Sequence, residues 1–154
     1  MKLNSKKILF LTTLSLGTNP RLVKEIKLAT KKGFKVEVIC FSFDNWSRHL
    51  NESIKQELSD AKIVEIPAGR FPFLPWLLSA SAEFIFRLGA RFVKLESGFL
   101  TQAVSRRSWL IRKELPKMNK PDWVIGHNPG AIWPALYASQ LFKCKVGIDV
   151  EDYY

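Results

Sequence analysis

Two apolar runs joined by one helix-length stretch constrain this chain more than any other feature. Ile8-Leu9-Phe10-Leu11 is continuous rather than alternating, the pattern of a strand covered on both faces of a parallel sheet. Asn19-Pro20 then reads as a helix start, because Asn caps free N–H groups and Pro is tolerated at the first helical position. Leu22, Val23, Ile26 and Ala29 form an apolar stripe, Lys31-Lys32 suit a last turn, and Gly33 suits a left-handed stop. Phe34 to Phe41 returns as a second strand. Strand, helix and strand in this compass predict a βαβ unit with a right-handed crossover.

The same alternation continues. Asp44 to Asp60 is polar and predicts a loop with a short helix. Lys62 to Ile66 is a third strand, stopped by Pro67. The prolines of Phe71-Pro72-Phe73-Leu74-Pro75-Trp76 argue against regular structure there. Leu77 to about Lys117 reads as helical, with Ala103 to Leu115 as its second part. Trp123-Val124-Ile125-Gly126 is a fourth strand, Ala131 to Phe142 a helix, and Lys145 to Val150 a fifth strand. The expected fold class is α/β: a Rossmann-like, doubly wound parallel sheet of about five strands, helices on both faces. The chain ends four residues after that strand, so the expectation is one domain over 1–154 that forms a piece of a larger protein.

Composition narrows the functional classes. At 154 residues and 47% apolar content a single core needs no staples and wholesale disorder is excluded. Two cysteines, Cys40 and Cys144, exclude a disulfide framework, and two separated histidines argue against a metal site. No run reaches the roughly 18 uncharged residues of a spanning helix. The basic start leads into a strand-like run with two threonines rather than a secretory signal, so a reduced cytoplasmic setting is expected. The net charge of +10 points to a polyanionic partner: nucleic acid, an anionic membrane or a phosphorylated ligand.

In an open parallel sheet, ligands bind outside the carboxyl ends of the strands. The loop after the first strand offers helix-start N–H groups, Gly17 for close backbone approach and Arg21 for charge pairing. It lacks both the dinucleotide and the P-loop glycine patterns. His127 follows the fourth strand as a candidate acid, base or sugar-hydroxyl ligand, with Asn128 beside it as a helix cap or substrate contact. His49 is expected to be merely exposed. Asp149, Glu151 and Asp152 crowd the end of the fifth strand, and alternation puts the first two on one face. On a helical wheel, Ser81, Phe84, Ile85, Leu88, Phe92 and Leu95 share a face opposed by Glu83, Arg87, Arg91 and Lys94. That pattern fits a helix covering the sheet. It equally fits, with its aromatic lead-in, a basic amphipathic segment over 71–94 lying on an anionic membrane.

Lys7-Ile8-Leu9-Phe10-Leu11, Asn19-Pro20-Arg21, Lys32-Gly33-Phe34-Lys35-Val36, Pro121 to Gly130 and Lys145 to Asp152 resemble, as an ordered set, the N-terminal, acceptor-side domain of GT-B glycosyltransferases of the retaining family-4 type. The resemblance implies two Rossmann-like halves with the reaction between them. It implies a C-terminal half, absent here, that holds most of the sugar-nucleotide donor and carries a Glu-x7-Glu signature. It implies a catalytic role for His127 near the transferred sugar and donor phosphates near Gly17; by their places at the strand ends, Arg21 is expected beside those phosphates and Asn128, Glu151 and Asp152 as substrate contacts. No cofactor or metal is expected beyond the nucleotide-sugar substrate, and the acceptor would be a lipid-linked or polysaccharide-precursor sugar phosphate. A single Gly17 stands where many members carry a glycine pair. The expected partners are the donor-binding domain or subunit and the inner face of the cytoplasmic membrane, and the chain alone is expected to be inactive. The alternatives are a non-catalytic, membrane-anchoring subunit and a nucleic-acid-binding module; the latter lacks basic-aromatic motifs.

Overall fold

The structure, a computed structural model, describes residues 6–43, 48–68, 73–89 and 105–149. Strands β1 (Lys7–Thr12), β2 (Lys35–Ser42), β3 (Ala61–Pro67), β4 (Trp123–His127) and β5 (Lys145–Asp149) form one sheet in the order β3-β2-β1-β4-β5. All four pairings are parallel. The helices are α1 (Pro20–Lys31), α2 (Arg48–Glu57), α3 (Phe73–Gly89), α4 (Arg106–Glu114) and α5 (Pro129–Phe142). The fold is the expected Rossmann-like α/β sandwich.

Period-two alternation sorts each strand between two cores. Ile8, Phe10, Val36, Val38 and Cys40 face α1, together with Leu58 after α2. Leu9, Leu11, Ile39, Phe41 and Val124 face α4 and α5, through Ile111, Leu115, Ala131, Ala135 and Ala138. The start of α1 is built as its sequence requires: Asn19 Oδ1 accepts from the Leu22 N–H at 3.0 Å, with Pro20 in the first helical position. Its end is closed by Gly33 at φ 84°, a conformation that costs a glycine little.

Two expectations are corrected. The proline-rich stretch is partly helical: α3 begins at Phe73 and runs through Pro75 and Trp76. Pro75 lies in the first turn, where the N–H it lacks has no intrahelical acceptor in any case. And α3 does not lay Phe84 and Leu88 against the sheet; they are 68% and 51% exposed. Phe92, Leu95, Arg91 and Lys94 lie outside the described residues. No described helix is long and apolar enough to cross a membrane.

Candidate functional site at the switch point of the sheet

The chain leaves β1 toward β2 on one side, and later strands are added on the other, so the crevice between β1 and β4 is the topological switch point, where open α/β sheets bind ligands. Strand register places the side chains there. Thr12 is level with His127, and His127 with Asp149. Neighbouring strands lie about 4.8 Å apart, so the imidazole and the Asp149 carboxylate stand side by side on the α1 face. Glu25, one turn after Arg21 on α1, comes down from above.

The result is a relay of four ionisable side chains. His127 Nδ1 lies 3.1 Å from Asp149 Oδ2, and Nε2 lies 3.2 Å from Glu25 Oε2. Arg21 places a guanidinium nitrogen 2.7 Å from Asp149 Oδ1, and its Nε lies 3.8 Å from Glu25 Oε1. Glu25, His127 and Asp149 also offer donor atoms within 4.8 Å of one another, a possible cation set. Each ring nitrogen faces a different carboxylate, however, and the Arg21 guanidinium already lies on both of them. The arrangement is a relay of ion pairs around one imidazole.

His127 is fully buried, against the Phe10 ring at 5.9 Å between centroids. It therefore does not open onto the surface with Gly17, as its position after the strand led one to expect. It belongs to β4 itself, and the α1 face of the sheet closes over it. The exposed end of the relay is Arg21, whose side chain is 53% exposed. Gly17 sits in a 3₁₀ turn, and its N–H donates to Asn51 Oδ1 at 2.7 Å. A Cβ on Gly17 would meet that oxygen at 2.9 Å. Asn128 does not cap α5 with its side chain. Instead its Nδ2 donates to Thr12 Oγ1 at 2.8 Å, and its Oδ1 accepts from Thr13 Oγ1 at 2.7 Å, locking the end of β1 to the end of β4. Its backbone, at φ 68° and ψ 160°, lies in a region essentially reserved for glycine, a strain that recurs at functional sites. Glu151 and Asp152 lie outside the described residues. His49 is exposed, as expected.

Two members of the site escape the sequence reading. Glu25 carried a signal, its i,i+4 spacing from Arg21, but its meeting with His127 depends on strand order. Arg107 carried none. It donates to the Thr13 carbonyl at 2.9 Å and stacks over Phe43 at 4.5 Å. Burial, and then the neighbouring Arg106 charge, push its guanidinium below the ordinary value. Close approach completes the crevice: a Cβ on Gly130 would come within 2.8 Å of Thr13 Cγ2 and 3.2 Å of Ser105 Cβ.

Neither a protein-family model nor a curated protein matches this chain. Among solved structures, the chain is similar to the crystal structure of TcCGT1 in complex with UDP, at 18% sequence identity and a TM-score of 0.60. The match covers 96% of this chain and 28% of that one. At that identity the likeness speaks for the fold: a five-stranded, Rossmann-like sheet of the kind found in glycosyltransferase domains.

Proposed function

We propose that this chain is the N-terminal, acceptor-side half of a sugar-nucleotide-dependent glycosyltransferase of the GT-B, family-4-like type. The observation that carries the reading is the Arg21–Asp149–His127–Glu25 relay at the switch point of a glycosyltransferase-like sheet. In this reading the donor is held mainly by a second Rossmann-like half, as a further domain or a separate chain. Arg21, exposed and already oriented by two carboxylates, meets the donor phosphates beside the Gly17 turn. His127 is the proposed catalytic group, acting through Glu25 and Asp149, whose carboxylates lie beside the buried ring. Asn128 is assigned to the acceptor, as are Glu151 and Asp152, which lie outside the described residues. The acceptor is a lipid-linked or polysaccharide-precursor sugar phosphate, presented at the cytoplasmic face of a membrane.

The exposed face of α3 supports that last point. Phe73, Leu77, Phe84, Ile85 and Leu88 are all 40% or more exposed, and Arg87 lies beside them, paired to Glu83 at 2.7 Å. Each aromatic side chain buried in an interface contributes about 1.5–3 kcal/mol, and each nearby basic charge about 1 kcal/mol. That is enough for reversible attachment. The proposal is tested with labelled sugar nucleotides and a lipid extract, comparing the isolated chain with the protein recovered from its own cells with any attached or associated half. Transfer by the second preparation only is expected. Transfer by the isolated chain, or by neither, contradicts the proposal.

A further inference from the structure

The opposite edge of the sheet holds a buried carboxylate that the switch-point site does not use. Glu37 on β2 is 6% exposed. Its Oε1 lies 2.7 Å from Lys7 Nζ and 3.7 Å from Lys62 Nζ. Its Oε2 is buried without a hydrogen-bond partner among the described residues. A buried carboxylate oxygen without a donor is unfavourable, and a donor delivered from outside would relieve it. A cleft of about 460 Å³ opens at this point, bounded by Lys7, Lys35, Val36, Glu37 and the segment from Asn119 to Asp122. That volume lies within the range of small-molecule sites.

The chemistry of the cleft selects its occupant. Lys7 is already committed, to Glu37 and to the Asn119 carbonyl at 3.2 Å. Asp122 Oδ2 is committed to the Lys7 backbone N–H at 2.7 Å. Asp60 lies on the rim, but Lys35, Lys62 and Lys120 also line it, and lysines outnumber carboxylates. Lys35 and Lys120 are exposed, and the Lys62 side chain is 57% exposed, so all three are able to swing onto a ligand. An ammonium group would satisfy Glu37 Oε2 at the expense of crowding four lysines. A hydroxyl donates to the same oxygen without adding positive charge, and an anionic group on the same molecule meets the lysines.

We propose that this cleft binds a small anion that also carries hydroxyl groups, with Glu37 accepting from a hydroxyl and Lys35, Lys62 and Lys120 holding the anionic end. Phosphorylated sugars and hydroxy acids share that chemistry. The site lies at the amino edge, about 17 Å along β1 from Thr12, and does not depend on the glycosyltransferase reading.

Titration of the ¹⁵N-labelled protein with glucose 1-phosphate, gluconate and sulfate, followed by amide chemical shifts, tests it. Saturable shifts at residues 35–37 and at Asn119, Lys120 and Asp122 are expected with one or both hydroxylated anions, and the tighter of the two identifies the class. Sulfate, which has no donor, should bind at least about tenfold more weakly. Lys35→Glu/Lys120→Glu, on exposed side chains, should weaken binding by at least about tenfold while the rest of the spectrum stays unchanged. Glu37→Gln should narrow the preference over sulfate; should that variant not fold, the lysine variant carries the test alone. Absence of saturable binding, equal binding of sulfate, or indifference to the lysine variant overturns the proposal.

Discussion

Asn128 and His127 are neighbours at the end of β4 and share one problem: each is held where a single residue of its type has little reason to be. The Asn128 backbone sits in a region that costs of order 1–3 kcal/mol for a side-chain-bearing residue, offset by its bonds to Thr12 and Thr13 at about 1 kcal/mol each. Asn128→Ala loses both bonds and keeps the strain, so it should destabilise by about 2 kcal/mol in urea unfolding. Asn128→Gly loses the bonds but relieves the strain and should fall between that variant and the wild type. An alanine variant at least as stable as the glycine variant contradicts this account. His127 is buried between two carboxylates: removing the ring leaves Asp149 and Glu25 facing a void, and a loss of about 3 kcal/mol is predicted for His127→Ala in urea unfolding. The cysteines give a simpler forecast. Burial raises both thiols above their ordinary value, and Cys40 is the more deeply buried. Because the thiolate is the nucleophile, native-state alkylation should label Cys144 first and reach Cys40 only on unfolding. Equal labelling rates contradict it.

At the scale of elements, glycines set how closely α5 can approach. A Cβ on Gly126 would lie 3.0 Å from both the Ala131 carbonyl oxygen and Ala135 Cβ. Gly126→Ala and Gly130→Ala should each cost about 1–3 kcal/mol through overpacking, measurable as a lowered denaturation midpoint. Variants as stable as the wild type would mean that α5 shifts freely. Which elements were legible in the sequence follows from how local their causes are. The strands and α1 were readable because an apolar run, a capping Asn and a terminal Gly act within a few residues. The start of α3 was not, because the rule against proline concerns helix interiors and Pro75 sits in a first turn. The orientation of α3 was not readable either, since the same stripe fits a core or an interface. His127 and Asp149 were readable as candidates, but their pairing with each other and with Glu25 was not. It arises from β4 inserting beside β1 and β5 beside β4, a property of the whole sheet.

For the whole molecule, two faces of one sheet are closed by helices, the net charge is +10, and α3 exposes an apolar side. If that side meets a membrane, liposome flotation should recover the protein with anionic vesicles at low salt. Phe84→Ser/Leu88→Ser should abolish recovery, because the aromatic and aliphatic contributions are lost while the charge is retained. Undiminished flotation of that variant assigns binding to charge alone and removes α3 from the account. The central claim remains that the relay around His127 serves sugar transfer. It is tested most directly by steady-state kinetics of the complete enzyme, wild type against His127→Ala, with folding of both verified by near-ultraviolet circular dichroism. The account predicts a fall in kcat of at least about 10²-fold with KM little changed, as for loss of a positioned acid–base group. A folded His127→Ala enzyme with kcat within about twofold of wild type would contradict it.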